Sequence, residues 1–535
     1  MKKSIILLFI TTILLAGLIY VDCKTIISSQ NRVVEEKSIS EIKTEDKNGS
    51  GGCSTCGVDT TIEDTAITEK EENKFTNKEL LVLSISTTLI IVIVIMLIVT
   101  RFYTRKFDKK KLTMFSFLFL IGAPIFNTIS ITYSDQRLIN SDEIDERIAV
   151  REASMKVSEN KKISNEDIST DSVNKIGLLI TNKATVTGSK LNITKTGNST
   201  DKEASYEYGL NSALLINGLS NVSIKNSLIS TSSGDSVGVI TTSLGSMLDI
   251  RKTSISTLGD DSSALVSTNG GSITGDILDI NTSGRNSSAI RGEGNFSTIK
   301  LTNSSINTNG YNSDLIISDS VVNLDTVRGA ATNGDILNVK DSSEVLIINS
   351  ELAGNRIYNY NDELDEMVTN SVTIKNSSLT FDSRYNKFDI YNSNSVYNLE
   401  NVTISDNQEE YQGSFINLSN STVKFTITDG KVNGNITSDK DSSLRINLNN
   451  STFKGTVNSD NRELNVSVTL DARSKWILTG DAYVKSLSIT RYNLNQLKYY
   501  INSNGYDIYY DVENNEWLGG LTINLPGGGT LIPVN

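Results

Sequence analysis

The six-residue phrase IKNSLI, residues 224–229, governs the interpretation of this chain because close variants of it recur. The other copies begin at Ile250 (IRKTSI), Leu301 (LTNSSI), Ile347 (IINSEL), Ile374 (IKNSSL), Leu399 (LENVTI), Leu418 (LSNSTV) and Leu448 (LNNSTF). Each begins and ends with an apolar residue, and asparagine is third in all but one. Several copies also contain the N-x-S/T glycosylation acceptor, so the phrase is either a chemical site or a structural device.

The spacing of the phrases predicts a repeat. The interval between successive copies is nearly constant where the pattern is clearest, from Ile347 through Ile374 to Leu399. Glycines keep the same interval in a second register, at Gly234, Gly259, Gly284 and Gly310. Between them, apolar residues alternate with polar ones, which is the period of a strand with one buried face.

Strand-only units of this length indicate one turn of a parallel β-helix per repeat. Leucine-rich repeats need a frame that is absent here, and neither a β-sandwich nor an antiparallel barrel explains the fixed period.

Roughly 14 coils stacked about 4.8 Å apart are expected over residues 176–495, followed by a C-terminal cap over residues 496–535. Residues one period apart lie above one another in such a stack. The residues that follow the repeat glycines therefore form one vertical file: Asp235, Asp260, Arg285 and Tyr311. Asp260 and Arg285 are placed to pair in this file. We favour a file of solvent-exposed side chains over a calcium site at these acidic residues.

Asparagine at the third position predicts a bend between two strands. Asparagine tolerates the left-handed backbone conformation of a tight bend, and its amide can bond to the asparagine of the next coil. The expected ladder comprises Asn226, Asn303, Asn349, Asn376, Asn401, Asn420 and Asn450. Lys252 is the exception and predicts a locally opened bend, with its ammonium group in solvent. The glycosylation acceptors are then a by-product of turn chemistry.

The first third of the chain carries three uncharged apolar stretches. Residues 1–21 are interpreted as a signal sequence or a first transmembrane helix, and residues 80–133 as a two-helix transmembrane hairpin. The connecting loop 101–111 is strongly basic, which places it in the cytoplasm. Residues 22–79 are then an extracytoplasmic disordered loop.

Residues 134–175 carry mixed charges, with Ile144, Ile148 and Met155 at near-helical spacing, and are predicted to form a partly helical stalk. The chain is thus expected in the cell membrane, with residues 134–535 outside the cell.

Cys53 and Cys56 form a C-x-x-C pair in the polar loop. A zinc site would need two further ligands, and a thioredoxin-like role would need a βα framework that this segment lacks. A small local disulfide or two free thiols is the favoured interpretation.

The composition excludes several classes of function. The chain has 535 residues, a net charge of −12 and no histidine. Nucleic acid binding requires a basic face, so the charge disfavours it. Without histidine, catalysis by Ser-His-Asp or Cys-His groups and zinc sites with histidine ligands are excluded.

The coil pattern resembles the right-handed parallel β-helix of pectate-lyase-like proteins. Two segments, SKWILTGDAYVKSLSI (Ser474–Ile489) and GYDIYYDVENNEWLGGLTINLPGGGTLIPV (Gly505–Val534), resemble more specifically the end region of adhesin-like β-helix proteins of bacterial surfaces. This resemblance implies an all-β, right-handed solenoid and an aromatic cap over its last coil. It also implies a surface protein that contacts a host or environmental glycan or a surface protein.

Enzymes of the same fold use acidic residues and a basic residue on one groove, so a polysaccharide lyase or hydrolase is an alternative. The available side chains are Arg251, Arg285, Arg291, Arg328, Asp249, Asp260, Asp261, Asp276 and Asp279. No spacing selects a catalytic group among them. The sequence therefore predicts a non-catalytic, membrane-anchored adhesin-like or polysaccharide-binding rod without a cofactor, and a structural envelope spacer is a further alternative.

Overall fold

The computed structural model describes residue 148 and residues 151–294, 296–361, 369–407, 413–490 and 492–534. Residues 141–535 form one compact unit, a parallel β-solenoid of about 15 turns.

The strands are mostly short, and most coils contribute strand residues to each of three faces. The strands of the first half are β1 (Ala153–Val157), β2 (Lys161–Ser164), β3 (Asp167–Thr170), β4 (Ile176–Ile180), β5 (Thr185–Ser189), β6 (Asn192–Lys195), β7 (Leu214–Ile216), β8 (Asn221–Lys225), β9 (Leu228–Thr231), β10 (Val239–Thr241), β11 (Met247–Thr257), β12 (Leu265–Thr268), β13 (Ser272–Thr282), β14 (Ile290–Glu293), β15 (Thr298–Thr302), β16 (Ser305–Thr308), β17 (Ile316–Ser318), β18 (Val321–Asp325), β19 (Arg328–Ala331), β20 (Leu337–Val339) and β21 (Glu344–Ile348). Those of the second half are β22 (Glu351–Gly354), β23 (Ile357–Tyr360), β24 (Asn370–Lys375), β25 (Ser378–Phe381), β26 (Phe388–Tyr391), β27 (Asn394–Glu400), β28 (Thr403–Asp406), β29 (Ile416–Ser419), β30 (Thr422–Thr428), β31 (Lys431–Asn433), β32 (Ile436–Ser438), β33 (Ser443–Asn449), β34 (Thr452–Lys454), β35 (Val466–Leu470), β36 (Lys475–Ile477), β37 (Ala482–Val484), β38 (Ser486–Ile489), β39 (Ile501–Asn502), β40 (Ile508–Asp511), β41 (Ile523–Asn524) and β42 (Thr530–Val534).

Parallel pairing between successive coils builds the faces. Face 1 is the twelve-stranded sheet β1-β4-β7-β10-β12-β14-β17-β20-β23-β26-β29-β32. Face 2 runs from β2 and β5 through β8 to β38, and face 3 runs from β3, β6 and β9 to β28. The long strands β11 and β13 cross from face 2 to face 3 without a break. Every second side chain points inward, so the buried apolar residues form a continuous core along the stack.

The IKNSLI phrase is the bend between faces 2 and 3. Asn226 has φ 52°, in the left-handed region, and it separates β8 from β9. The serine that follows has a second role, since the Leu191 N–H of the previous coil donates to the Ser227 Oγ at 3.1 Å. The same bond joins Val327 N to Ser350 Oγ at 3.0 Å, and Ser350 N to Ser377 Oγ at 3.0 Å. The backbone N–H group at the bend, which has no partner in the strand pairing, thus donates its hydrogen bond to a hydroxyl group of the next coil.

Helix α1 (Lys202–Tyr208) lies on the outer side of face 1 over the early coils. Asp201 caps its first turn by accepting a hydrogen bond from Ala204 N, and Gly209 ends it with φ 67°. Beneath the helix, the outward side chains of face 1 are apolar and buried: Leu179, Leu215, Ile240 and Val266. This helix was not predicted from the sequence, and it removes an exposed apolar stripe from water.

Arg291, on strand β14 three coils further along the solenoid, binds helix α1. Its guanidinium is fully buried, donates to the Tyr206 carbonyl at 2.6 Å and pairs with Glu293 at 2.5 Å. It also lies 3.7 Å from the centroid of the Tyr206 ring, and the Tyr206 hydroxyl donates to Glu293 at 2.8 Å.

The predicted fold class is wrong in the part that precedes the solenoid. Among the residues that the structure describes, no helix is long and apolar enough to span a bilayer. The three apolar stretches, loop 101–111 and residues 22–79 lie outside the described residues. The predicted helical stalk, residues 134–175, instead contains β1, β2 and β3, which pair in register with β4, β5 and β6.

The physical reason is the period of burial. Val157, Ile163 and Ile168 are buried with exposed neighbours on both sides, as on a strand with one inward face. The spacing of Ile144, Ile148 and Met155 suggested a helix, but the short alternating runs after residue 152 are of the same type as the later coils.

Parallel pairing continues beyond residue 495. Trp476 on β36 pairs with Ile501 on β39, and β37 pairs with β40, which pairs with β42. Helix α2 (Leu497–Tyr500) lies beside this edge, and β41 closes it by antiparallel pairing with β42. Trp476 and Tyr510 are fully buried in this region, and Tyr500 is nearly so.

Candidate functional site

The strongest candidate site lies where the corner between faces 3 and 1 shortens. This corner has seven residues after β16 (309–315), five after β19 (332–336) and two after β22 (355–356). Gly354 permits the tightest corner, since a Cβ there would lie 3.0 Å from the Ile336 nitrogen and 3.1 Å from the Gly334 oxygen. The contraction brings Arg356 directly beside face 1.

We call the resulting cluster the corner site. It consists of Asp314, Asp335, Asn338, Arg356, Tyr358, Tyr360, Asp389, Tyr391 and Asn417. Asn338, Tyr358, Asp389 and Asn417 occupy one outward file, because β20, β23, β26 and β29 pair in register at these positions. Strand alternation thus places a row of polar and aromatic groups on the outer side of face 1.

Arg356 links two carboxylates. Its Nη1 lies 2.6 Å from Asp389 Oδ2, and its Nε lies 3.2 Å from Asp335 Oδ2. Asp389 also accepts hydrogen bonds on Oδ1 from the side-chain amides of Asn417 at 2.8 Å and Asn386 at 3.1 Å. Both aspartates are more than nine-tenths buried, so the network is held rigidly in a partly dehydrated place.

Tyrosine rings surround this network. The Arg356 guanidinium lies 3.9 Å from the centroid of the Tyr358 ring. Tyr360 stacks on Tyr358 with centroids 5.9 Å apart and 11° between planes, and Tyr391 meets Tyr358 edge to face at 5.9 Å. The Asn417 amide donates to the Tyr391 hydroxyl at 3.2 Å. The result is a preorganised surface of aromatic faces with fixed donors and acceptors among them.

The electrostatics of the corner site are unbalanced, because three aspartates share one guanidinium. Burial raises the pKa of Asp335 to about 7; the charge of Asp314 adds to this, and Arg356 opposes it. Burial also raises the pKa of Asp314, against the opposing hydrogen bonds from Asp335 N and Asn338. Burial and the neighbouring Asp389 raise the pKa of Tyr391 to about 12. The Asp335 carboxyl is therefore protonated in part of the molecules near neutral pH.

The corner site lies over the aromatic part of the core. β26 carries Phe388 inward and Asp389 outward, and Phe388 packs against Phe381, Tyr397, Phe415 and Phe425 with ring centroids 4.9–5.9 Å apart. Large rigid side chains beneath the strands hold the outward groups in place.

The predicted asparagines lie at bends with φ between 46° and 53°. Asn420 lies between faces 1 and 2, whereas the other six end strands of face 2. The structure brings two of the seven together, since Asn401 Nδ2 donates to Asn376 Oδ1 at 3.0 Å. Asn303 and Asn349 bond instead to Asp276 and Asp325 one coil away, each at 2.9 Å, Asn450 bonds to Asp429, and Asn420 bonds to Asn392. Asn226 contributes its backbone N–H, which donates to the Arg251 carbonyl.

Lys252 has φ 49° and lies within the continuous strand β11. The expectation of an opened bend there is wrong, because lysine adopts the same left-handed conformation as the asparagines.

Most of the candidate charges from the sequence are engaged in local ion pairs or hydrogen bonds, and two of these ion pairs join two candidates. Asp260 and Arg285 form the predicted ion pair at 2.7 Å, and Asp235 pairs with Lys202 at 3.6 Å. Arg251 pairs with Asp249 at 2.8 Å, and Arg328 pairs with Glu351 at 3.2 Å.

For the part of the chain that the structure describes, no group of three acidic or cysteine side chains is arranged to hold a metal ion. Cys53 and Cys56 lie outside the described residues.

Sequence reasoning missed the corner site. Its signal was present in ELAGNRIYNY, residues 351–360, where Gly354 follows Gly334 after a shorter interval than separates the repeat glycines Gly234, Gly259, Gly284 and Gly310. Two tyrosines at alternate positions of this strand were a second signal, since large aromatic side chains on the outer side of a strand are unusual among the serine- and threonine-rich coils.

The fold and this cluster define the chain as a parallel β-solenoid with an aromatic and acidic site on one face. Comparisons with protein-family models, with curated proteins and with solved structures find no match.

Proposed function

We propose that this protein is an adhesin-like rod that binds polysaccharide at the corner site without cleaving it. The observation that carries the proposal is the group of contacting rings Tyr358, Tyr360 and Tyr391 beside the Asp335–Arg356–Asp389 network, in which Tyr358 pairs in register with Asp389. Sugar rings combine flat apolar C–H faces with hydroxyl edges, so a ligand of this kind matches aromatic faces beside fixed polar groups.

The balance of charge favours a ligand without carboxylates. Asp314, Asp335 and Asp389 outnumber Arg356, whose guanidinium is already occupied by two of them. An anionic sugar would meet like charges in a partly dehydrated place and would find no free cation in the corner site. Neutral or amine-bearing polysaccharides are therefore the proposed ligands.

The test is binding of the purified protein to a glycan array that holds neutral, amine-bearing and uronic-acid polysaccharides. Tyr360 is 41 % exposed, so the substitution Tyr360→Ala removes aromatic surface without opening the core. The matched control is Tyr499→Ala, which removes a similarly exposed tyrosine from α2. Wild type and the Tyr499 variant are expected to bind equally, and the Tyr360 variant at least tenfold more weakly. Absence of binding to every glycan would refute the proposal.

A polysaccharide hydrolase is the second candidate, and one observation favours it. Asp335, whose pKa is raised to about 7 by burial, can serve as a general acid, and Asp389 lies on the other side of Arg356. Incubation with each bound glycan, followed by a reducing-sugar assay, separates the two functions. Release of product that disappears in Asp335→Asn would establish the hydrolase and overturn the non-catalytic proposal.

The extracellular location remains a prediction, because the residues on which it depends lie outside the described part of the chain. Expression in a bacterial host, followed by protease treatment of intact cells, tests it without reference to the corner site.

A further inference from the structure

A second concavity lies on face 3 of the same coils. It has a volume of about 430 Å³ and is lined chiefly by Asn307, Arg328, Ala330, Glu351, Ala353 and Thr380. We call it the face-3 trough. Its volume falls within the range of sites that hold small molecules, roughly 300–1,000 Å³.

The trough is formed by a local change in side-chain size. Asn281, Asn307, Ala330, Ala353 and Thr380 occupy one outward file, because β13, β16, β19, β22 and β25 pair in register there. The two alanines in the middle lack the polar side chains of their neighbours. Asn307 and Thr380 remain as polar walls at the two ends.

The trough has no net charge. Arg328 and Glu351 pair across one side at 3.2 Å, with exposed fractions of 79 % and 65 %, and the other lining residues are uncharged. An exposed pair of this kind is weak, so its groups remain available as donors and acceptors for a ligand. The trough therefore has a small apolar floor surrounded by hydroxyl, amide, guanidinium and carboxylate groups. Such a lining is suited to an uncharged ligand that carries many hydroxyl groups.

The corner site is on the same coils. Glu351 at the trough and Arg356 at the corner site are five residues apart in the chain, so their Cα atoms lie at most about 18 Å apart. A polymer that leaves the corner site around the shortened corner therefore reaches the trough within a few sugar units.

We propose that the face-3 trough is a second subsite for the same polysaccharide and binds uncharged sugar units that follow those at the corner site. The inference rests on the proposed function. Two linked subsites make affinity depend on ligand length, because the second contact forms at a high effective concentration once the first is made. Short oligosaccharides fill only the corner site, and longer ones fill both.

The test compares β-glucan, mannan and galactan oligosaccharides of two and eight sugars by calorimetry on the full chain. Ala353→Trp fills the trough from the outer side of β22, and Ala330→Trp does the same from β19. The matched control is Ser230→Trp, at the equivalent outward position of the same face four strands away. Each tryptophan variant is expected to bind eight-sugar ligands at least tenfold more weakly and two-sugar ligands as wild type does. The control is expected to match wild type with both.

A second measurement uses the wild-type protein, so it does not depend on whether the variants fold correctly. Glu351 is exposed and reacts with a carbodiimide label, so an eight-sugar ligand is expected to protect it and a two-sugar ligand is not. Equal octasaccharide binding by wild type and both tryptophan variants, or unchanged labelling of Glu351, would overturn the trough while leaving the corner site in place. If none of these neutral oligosaccharides binds the wild type, the trough proposal fails, and the glycan array decides separately whether the corner site binds an amine-bearing polysaccharide.

Discussion

The hydroxyl at the fourth position of the repeated phrase is expected to stabilise the solenoid more than its size suggests, and Ser350→Ala tests this. Ser350 Oγ accepts the Val327 N–H at 3.0 Å and donates to the Ile348 carbonyl at 2.7 Å. After the substitution the Ile348 carbonyl keeps the Thr326 N–H at 3.1 Å, but the described contacts leave the buried Val327 N–H without an acceptor.

The expected magnitude follows from that one orphaned donor. A buried polar group left unpaired costs about 1–3 kcal/mol, whereas an exposed serine replaced by alanine costs within about 0.5 kcal/mol. In hydrogen exchange, a local destabilisation of this size accelerates exchange of the Val327 amide by roughly 5- to 150-fold. Because coils contact mainly their neighbours, the effect is expected to be confined to adjacent coils.

Two controls isolate the hydroxyl. Ser350→Thr keeps an acceptor and is expected to approach wild type, because Thr253 performs the same role naturally by accepting the Ser227 N–H. Ser371→Ala removes a half-exposed serine from β24 of the adjacent coil and is expected to have little effect. Unchanged exchange of Val327 in Ser350→Ala, or equal destabilisation by threonine and alanine, would refute the reasoning.

Three further predictions concern the bend, the corner site and helix α1. Asn376→Val is expected to lower the free energy of unfolding in urea by about 2–3 kcal/mol, because valine is strained at the left-handed φ of 49° and the hydrogen bond from Asn401 is lost. Asn376→Gly loses only the hydrogen bond, so equal losses of stability in the two variants would contradict this. The raised pKa of Asp335 means that the folded state holds its proton more tightly, so stability falls as pH rises from about 4 to about 7, and Asp335→Asn is expected to flatten that part of the profile. Arg291→Met is expected to accelerate amide exchange in α1 at least tenfold, whereas Arg251→Met, which breaks an exposed pair, leaves it unchanged.

The solenoid was predictable because its bends repeat a chemical requirement. The bends from face 2 to face 3 use a left-handed residue, and in many coils a serine or threonine follows it, so IKNSLI and its variants recur at the period of the coil. The first three strands were missed because they carry no such phrase. Asn165 forms the bend with φ 54°, but Glu166 and Asp167 follow it, whereas serine follows in most copies of the phrase.

Other features depend on contacts that no local pattern shows. Helix α1 is seven residues long, and its place is set by Arg291, more than 80 residues away along the chain. The ion pair of Asp260 with Arg285 was predictable because both lie one period apart on the same corner. Asp335, Arg356 and Asp389 are spaced by 21 and 33 residues, so they fall outside any single period and were not recognised as a group.

The irregular length of these coils also indicates which part of the solenoid carries the function. Five residues in register on face 1 mark successive coils: Ile290, Ile316, Leu337, Ile357 and Phe388. Their numbering shows that the coils shorten between Ile316 and Ile357 and that the next coil is longer than the regular period.

Regular coils reuse the same bends and give each face uniform small side chains. A shortened coil has a shorter corner, and here Asn355 and Arg356 alone occupy the place of the long corner, directly before Tyr358 on β23. Both the corner site and the face-3 trough fall on these irregular coils. Restoring a seven-residue corner between Gly354 and Ile357 is therefore expected to abolish glycan binding while leaving the bends at Asn349 and Asn376 intact, as measured by amide exchange. Retained binding after that insertion would show that the contraction is incidental to the site.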